Sequence, residues 1–419
     1  MKIKIRNPKL IIEHLFNGFS LVLLTGGMIP FIRTLMGFDI NSTEGDVIFQ
    51  IIFSLIFLIS ILLIIIRQQK AINLIKNDKF LILLLLLTLL SIFWSPAPGI
   101  SMKRIIAVLG TSVYGYYLAS RYNLNQFLNL ISWSLAFISV LSLVTILLIP
   151  EYGISTGGHA GEWRGIFTHK NHLGRYACLG ALVFIIQFSL KKYRILNLLL
   201  FLICLVEVVF SSSQTALIIF LIILLIIPFF VVFKSDKNLL VSLAMFILLA
   251  FGSAFIIFIK YSNEIFNAFG RDLTFTGRTL IWETVYQKIQ EHYFLGYGYG
   301  GFWLGWFGES SYIWRTNGWE VPHAHNGILE LWLQLGLIGV ALFLLSLIFS
   351  LFLSALYIRK TQFLYGAFPL VYLLFFIFNN ATEIGILVQN NFLWVVYISV
   401  VIQMRESLKE KMGLSKGEE

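Results

Sequence analysis

GRDLTFTGR at residues 270–278, GYGYGGFW at 296–303 and PHAHN at 322–326 belong to one long polar interruption, Tyr261–Asn326, in an otherwise apolar chain. Of the 419 residues, 58% are hydrophobic and only 12% charged, and mean hydropathy is +0.84. A soluble domain carries about 25% charged residues. Here the apolar residues form runs near the ~20 needed to cross a bilayer. The reading is an all-α polytopic membrane protein of about twelve transmembrane helices. It is one integral membrane domain, 1–419, with a large loop at 261–325.

The expected spans are 15–36, 46–66, 79–95, 105–120, 127–149, 174–190, 195–211, 214–233, 239–259, 326–357, 363–380 and 385–404. The first lacks a small-residue cleavage site, so it reads as a retained span rather than a secretory signal. The tenth is long enough to tilt or to project beyond the bilayer. Within the long loop, Trp282, Val285, Tyr286, Ile289 and Tyr293 share one helical face, opposite Glu283, Gln287, Gln290 and Glu291. That spacing predicts an amphipathic surface helix near 278–292.

The net charge of +10 raises the question of nucleic acid. The basic residues are not gathered in a patch, so nucleic acid is not an expected partner. They fall in short connections on alternate sides: Arg67, Lys70 and Lys76, then Lys191, Lys192 and Arg194, then Arg359 and Lys360, and both termini. The positive-inside rule makes that side cytoplasmic, with both termini there. Residues 151–175, the long loop, Ser211–Gln214 and Ala381–Gln389 then face outward. Cys178 and Cys204 lie inside apolar runs and read as packing residues, with no disulfide framework.

Four polar constellations fall on that outer side. In Arg164-Gly165-Ile166-Phe167-Thr168-His169-Lys170-Asn171-His172-Leu173-Gly174, Arg164 and Lys170 suit a diphosphate, one by bidentate geometry and one as a point charge. The plainer reading is a basic edge to a span, though outward loops are normally poor in such residues. Arg271 and Arg278 are also anion candidates, Arg278 because it opens a helix; lipid headgroups or Asp272 and Glu283 are their ordinary partners. His323-Ala324-His325-Asn326 offers a general base, a structural hydrogen-bonding unit or a metal ligand pair. No acidic residue or cysteine stands near it in sequence to complete a ligand set, so no metal is expected. Asn380-Ala381-Thr382-Glu383 with Gln389-Asn390-Asn391, like Ser211-Ser212-Ser213-Gln214-Thr215, is a structural network or the lining of a polar cavity. Tyr297, Tyr299, Phe302, Trp303 and Trp306 read as an interfacial belt or as stacking platforms for sugar rings.

Several outward cations and one candidate base point to an enzyme acting on an anionic, membrane-held substrate such as a diphosphate-linked lipid. A transporter or flippase for such a lipid is the competing class, because about twelve spans suits one, but the two halves show no internal similarity. A structural subunit would not need these clusters.

The same residues resemble the O-antigen ligase and O-antigen polymerase family. The resemblance rests on Arg164-Gly165-x-Phe167-x-His169-Lys170-Asn171-x-Leu173-Gly174 and on His325-Asn326 leading to Leu335-Gly336-Leu337-Ile338-Gly339. Gly270-Arg271-Asp272, Thr276-Gly277-Arg278, Gly296-Tyr297-Gly298-Tyr299 and Asn380-x-Thr382-Glu383 are similar to the exopolysaccharide-polymerase (ExoQ-like) branch. The match runs in order from about Trp94 to Trp394. The resemblance implies a GT-C-like glycosyltransferase of the bacterial inner membrane, using glycans on undecaprenyl diphosphate at its periplasmic face without metal or other cofactor. It implies either polymerisation of repeat units or ligation of a finished glycan to lipid A core. His325 then matches the base and Arg278 a diphosphate-binding arginine. Arg164, Lys170 and Arg271 are further diphosphate candidates. His169, Asn171, His323, Asn326, Tyr297, Tyr299 and Glu383 are glycan-contacting or supporting candidates. Membrane lipid is a partner, and a chain-length regulator is a candidate one. Many members have an arginine where this chain has Gln214.

Overall fold

The computed structural model describes residues 8–35, 37, 46–67, 74, 78–190, 193–235, 278–361 and 363–411. The expected ninth span (239–259), the opening of the long loop with Arg271, and several basic residues used to orient the chain lie outside the described residues. Among the described residues there is no strand, only one isolated bridge between Ile154 and Trp163. The fold is therefore all-helical. Its principal helices are α1 (Pro8–Leu24), α2 (Met28–Leu35), α3 (Asp46–Ile66), α4 (Lys79–Leu90), α5 (Pro98–Arg121), α6 (Leu124–Leu148) and α7 (Lys170–Ser189). They continue as α8 (Arg194–Phe210), α9 (Gln214–Ser235), α10 (Arg278–Glu291), α11 (Ser310–Asn317), α12 (Gly327–Lys360), α13 (Phe363–Asn380) and α14 (Phe392–Lys411).

Four of these helices are long and apolar enough to cross a membrane, or five if the bent pair α1–α2 counts as one span. With shorter apolar helices such as Lys79–Trp94 beside them, the chain is an integral membrane protein. The described residues hold fewer full-length spans than the expected twelve or so, because several helices break or stop short and the expected ninth span lies outside them.

Helix α7 is the hub. It packs against α6, α8, α9 and α13, and its residues from Leu173 to Phe184 are all buried. Small residues permit this: a side chain at Gly180 would meet the Cys204 sulfur at 2.8 Å. Cys178 and Cys204 are free and buried, as packing residues should be. The helix begins at Lys170, four residues before its expected start. The His169 ring accepts the Asn171 N–H at 3.2 Å and caps it.

Three expected spans are interrupted. The first, 15–36, bends by 82° between α1 and α2. Thr25 turns its hydroxyl back to the Val22 carbonyl at 2.6 Å, Gly26 takes φ +77°, and Gly27 lies against the Phe167 ring. The twelfth, 385–404, is helical only from Phe392. Before it, Leu387 and Asn390 have positive φ, and the Asn391 side chain caps α14 through the Leu393 N–H at 2.8 Å. The tenth runs to Lys360 but breaks at Gly336, with φ +65° and ψ −171°. There Leu337 donates to the Tyr293 carbonyl at 2.9 Å, and Tyr297 donates to the Leu333 carbonyl at 2.9 Å. The turn after α10 thus satisfies the backbone groups that the break frees.

The described part of the long loop folds over this break. Ile281, Val285, Ile289, Tyr297, Phe302, Ile313, Val321, Ala324 and Leu333 make a second small core. Helix α10 matches the expected element, but its buried face differs. Ile281, Thr284, Val285 and Ile289 are buried, whereas Tyr286 is 49% exposed. The helix packs on α11 and α12, and this protein surface sets the buried stripe.

Gly336→Ala tests the break. A Cβ there would stand 2.1 Å from the Phe294 carbonyl carbon in a left-handed backbone. Strain of this kind costs about 1–3 kcal/mol, read as a lower melting temperature in detergent. Gly99→Ala, in open space on α5, should leave that temperature unchanged or higher.

Candidate active site

The Glu383 carboxylate is where distant parts of the chain meet. It sits in the non-helical link between α13 and α14. Asn380 shapes that link, donating to the Phe376 carbonyl at 2.7 Å and accepting the Ile386 N–H at 3.1 Å. Arg175, in the second turn of α7, reaches one Glu383 oxygen at 3.0 Å. Arg278, first residue of α10, reaches the other at 2.9 Å. Asn171 donates to that same oxygen at 3.3 Å. Burial would raise the Glu383 carboxyl, but Arg175 and Arg278 outweigh it and bring it down to about 2. Glu383 is therefore ionised at neutral pH, and the group of three carries a net positive charge.

His323 and His325 close the same site. A ring nitrogen of each and a Glu383 oxygen all lie within 4.8 Å of one another. Burial lowers the His323 ring, with His325 adding to the effect, to about 3. Burial also lowers His325, opposed by Glu383 and reinforced by Arg278. Both rings are neutral at pH 7. The His323 Nδ1 accepts the His325 N–H at 3.2 Å, which puts its proton on Nε2. The His325 Nδ1 is buried without a hydrogen-bond partner among the described residues.

His325 is held in an uncommon conformation, φ +48°. Its neighbours enforce it. The Ala324 N–H donates to Glu330 at 2.9 Å, and the Ala324 carbonyl accepts the Trp282 indole at 3.1 Å. The Asn326 side chain accepts the Ile328 and Leu329 N–H groups and caps α12, while its amide donates to the Ala381 carbonyl at 3.2 Å. Left-handed strain at a non-glycine residue persists only where the surroundings fix it, and such residues cluster at functional sites.

Arg278, His323, His325, Asn171 and Glu383 thus come together. The other candidates are engaged in other contacts. Lys170 is buried against Glu162 at 2.6 Å, so its charge is already matched. Arg164 donates to the Tyr152 carbonyl at 2.6 Å and lies over that ring. His169 caps α7, and Asn326 caps α12. Tyr297 is buried and donates to Glu291 at 2.8 Å. Tyr299 is buried and donates to the Leu387 carbonyl at 2.7 Å. Both tyrosines act as internal struts rather than open stacking platforms. Arg271 lies outside the described residues. Gln214 is exposed at the start of α9, and Thr215 beside it accepts from the Thr382 hydroxyl at 3.2 Å.

Three contributors are not among the expected site residues. Arg175 was counted as a loop-edge charge, but a cation one residue into an apolar run is costly unless paired or functional. His172 lines the same pocket as Arg175. Glu330 accepts from the Trp303 indole at 2.9 Å and from Gln334 at 2.6 Å as well as from Ala324. Its signal was an acidic residue four places after a histidine–asparagine cap, at the start of an apolar helix.

The fold also supplies the carboxylate that the histidine pair lacked in sequence. The donor types alone would suit a divalent cation. Electrostatics argues otherwise, because both Glu383 oxygens are occupied by guanidinium groups that would repel one. A partly neutralised cluster of two arginines, beside neutral imidazoles, has the charge to attract an anion and the basic nitrogens to accept a proton.

A protein-family model described as O-antigen ligase matches residues 198–344, which include Arg278, His323 and His325. The chain is 23% identical over 278 residues to the exopolysaccharide production protein ExoQ of Rhizobium meliloti (strain 1021). That alignment covers 63% of this chain and 62% of the relative. The resemblance to the O-antigen ligase family and to an ExoQ-like protein is thus found independently of the site's geometry.

Two measurements follow. Glu383→Ala leaves two buried guanidinium groups without their partner and should cost about 3–5 kcal/mol of stability, read by thermal unfolding in detergent. Stability should also fall on acidification below pH 6.5. The unfolded histidines take up protons there while His323, at about 3, does not until far lower pH. His323→Gln should flatten that decline. The Glu383 contribution persists above the ordinary carboxyl value of 4.5 and is lost only as pH falls towards about 2.

Proposed function

We propose that this chain is a metal-independent, GT-C-like membrane glycosyltransferase. It polymerises a surface polysaccharide from undecaprenyl-diphosphate-linked oligosaccharide at the periplasmic face of the bacterial inner membrane. The observation that carries the proposal is the His325 ring, on a clamped backbone, beside the Arg175–Glu383–Arg278 group. The similarity to an O-antigen ligase family and to an exopolysaccharide production protein supports the reaction class.

An acceptor hydroxyl attacks the anomeric carbon of the lipid-linked sugar. Its oxygen forms the new bond to that carbon while the bond from carbon to diphosphate oxygen breaks. The bonding electrons leave with the diphosphate, whose growing charge the arginines stabilise. The hydroxyl proton passes to His325, which is neutral and able to accept it. Glu383 keeps the two guanidinium groups near each other without cancelling both. With the basic connections on the cytoplasmic side, the site opens to the periplasm. A chain-length regulator would act on the growing product.

Ligation to lipid A core remains the second reading, favoured by the description of the matching family model. The two separate by product. A defined lipid-linked repeat unit, given to purified protein in detergent, should yield a ladder of longer lipid-linked chains. Transfer only to an added lipid A core acceptor would support ligation, and a flippase would make no new bond in detergent.

His325→Ala should lower chain extension by about 10²-fold or more while the protein still melts and elutes as wild type. Activity at the wild-type rate would end the base assignment. Because the His325 ring lies below its ordinary 6.5, the acid limb of kcat/KM should fall below pH 6.5. Full inhibition by a chelator, reversed by a divalent cation, would overturn the metal-free mechanism.

A further inference from the structure

Of the aromatic rings expected as sugar platforms, Tyr297, Tyr299 and Phe302 are buried. Trp319, outside that group, is 49% exposed, and its ring centroid lies 6.4 Å from that of His325. The indoles around it are used differently. Trp282, Trp303, Trp306, Trp314 and Trp332 each donate the ring N–H to a carbonyl or carboxylate of the protein. Among the described residues the Trp319 N–H has no such acceptor, and no arginine or lysine stands over its ring. It is an open aromatic face and an unused donor beside the candidate base.

The backbone holds this ring in place from both sides. Helix α11 ends at Gly318, φ +75°, whose N–H returns to the Trp314 carbonyl at 2.9 Å. The Val321 N–H donates to the Trp319 carbonyl at 3.0 Å. Val321 is itself buried in the second core and accepts the Trp314 indole at 2.7 Å. A ligand on Trp319 therefore orders little that is not already ordered. A ring anchored in lipid would have apolar neighbours; Trp319 is flanked by the exposed Gly318 and Glu320. The absence of a nearby cation separates it from the arginines at Glu383, so its chemistry suits a neutral ligand. The acceptor hydroxyl has to come within about 2.6–3.2 Å of the His325 ring to give up its proton. A sugar carrying that hydroxyl extends over the distance that separates the two rings. Its C–H bonds, slightly positive, pack against the negative face of an indole.

We infer that Trp319 is the platform on which the acceptor sugar stacks, with its indole N–H donating to a sugar oxygen. This assignment rests on the glycosyltransferase reading, with His325 as base, and deepens it. It gives the two substrates separate holds: the arginines attract the anionic leaving group, and Trp319 takes the neutral acceptor. It also makes Trp319 a specificity residue. A pyranose that presents several C–H bonds on one face stacks well, whereas one whose faces are crowded by axial hydroxyls stacks poorly.

The test uses purified full-length protein in detergent, with a lipid-linked repeat unit at fixed concentration as donor. The varied acceptor is the repeat-unit oligosaccharide released from its lipid by mild acid, and the extended free oligosaccharide is the product measured. Trp319→Ala should raise the KM for this acceptor by about tenfold, the scale of an aromatic contact with its buried area, and act on kcat far less. Trp319→Phe keeps an aromatic face and should recover most of the loss. Trp319→Leu, apolar but not aromatic, serves if the alanine variant does not fold. If the protein transfers only to lipid A core, that core is the varied acceptor and the same shift is expected. A variant that melts like wild type with an unchanged acceptor KM would overturn the assignment and leave the glycosyltransferase reading standing. So would a loss confined to kcat, which would make Trp319 a prop for the His325 ring, or a rise in donor KM alone. Wild-type protein that lengthens lipid-linked units, yet neither extends the free oligosaccharide nor is inhibited by it, would also overturn it. Wild-type protein that forms no glycosidic bond with any of these acceptors would remove the reading beneath.

Discussion

A single carboxylate, Glu383, shared by Arg175 and Arg278, is the interaction on which the arrangement of this protein depends. The three residues come from α7, from the start of α10 and from the link before α14. An isolated charge at this depth would cost several kcal/mol to desolvate. The pairing removes that cost and cross-links three regions. It also leaves a surplus. Two guanidinium groups and one carboxylate sum to one positive charge, next to imidazoles kept neutral by burial. A fully matched pair would have been a structural device only; the second arginine turns it into a site.

Around that group the helical scaffold is repeatedly broken. The bend at Thr25–Gly27, the break at Gly336 and the positive-φ turns at Leu387 and Asn390 interrupt what would otherwise be plain spans. Backbone freed from helical pairing is tolerated at membrane depth only where protein or a polar cavity satisfies it. Each interruption meets that condition. At the first, the Thr25 and Gly26 N–H groups turn back to the Val22 and Leu23 carbonyls; the Tyr293–Tyr297 turn pairs with the second, and Asn391 and Thr111 serve the third. The opposite end of the bundle uses charge differently. Arg405 and Asp78 are buried together at 3.0 Å, with Ser346 donating to Asp78 and Ser350 accepting from Arg405. That pair is matched and closed to solvent, so it joins α4, α12 and α14 and offers nothing to a ligand.

What the sequence disclosed follows from which properties are local. Helix class was legible because apolar runs and caps are local, and the helix at Arg278–Glu291 was legible from its periodicity. The Arg278, His325 and Glu383 motifs stood out because their residue types are unusual beside apolar spans. Partnership was not legible. Lys170 and Arg175 lie five residues apart on one helix, yet Glu162 takes the first and Glu383 the second. That choice is made by a loop eight residues upstream and by a turn two hundred residues away. The spans that break were misread for a related reason. A run of hydrophobic residues carries no record of the 82° bend, because glycine is compatible with both a continuous and a broken helix.

The same distinction decides which cations can serve a substrate. Arg164, Lys170, Arg175 and Arg278 are equivalent as counts of charge but not as donors. Arg164 spends its Nε on the Tyr152 carbonyl, and Lys170 is enclosed with Glu162. Arg278 and Arg175 each give one nitrogen to Glu383, and a guanidinium has five N–H donors. Anchoring one edge of such a group fixes its plane and leaves the remaining donors oriented, which lysine cannot do with a single rotating ammonium. An anionic leaving group benefits from donors that need no reorganisation as its charge develops. The carboxylate that lowers the positive charge is therefore also what orients the free donors of the arginines. It lowers their net charge but holds them together, in register with a histidine whose own backbone is clamped by Glu330 and Trp282.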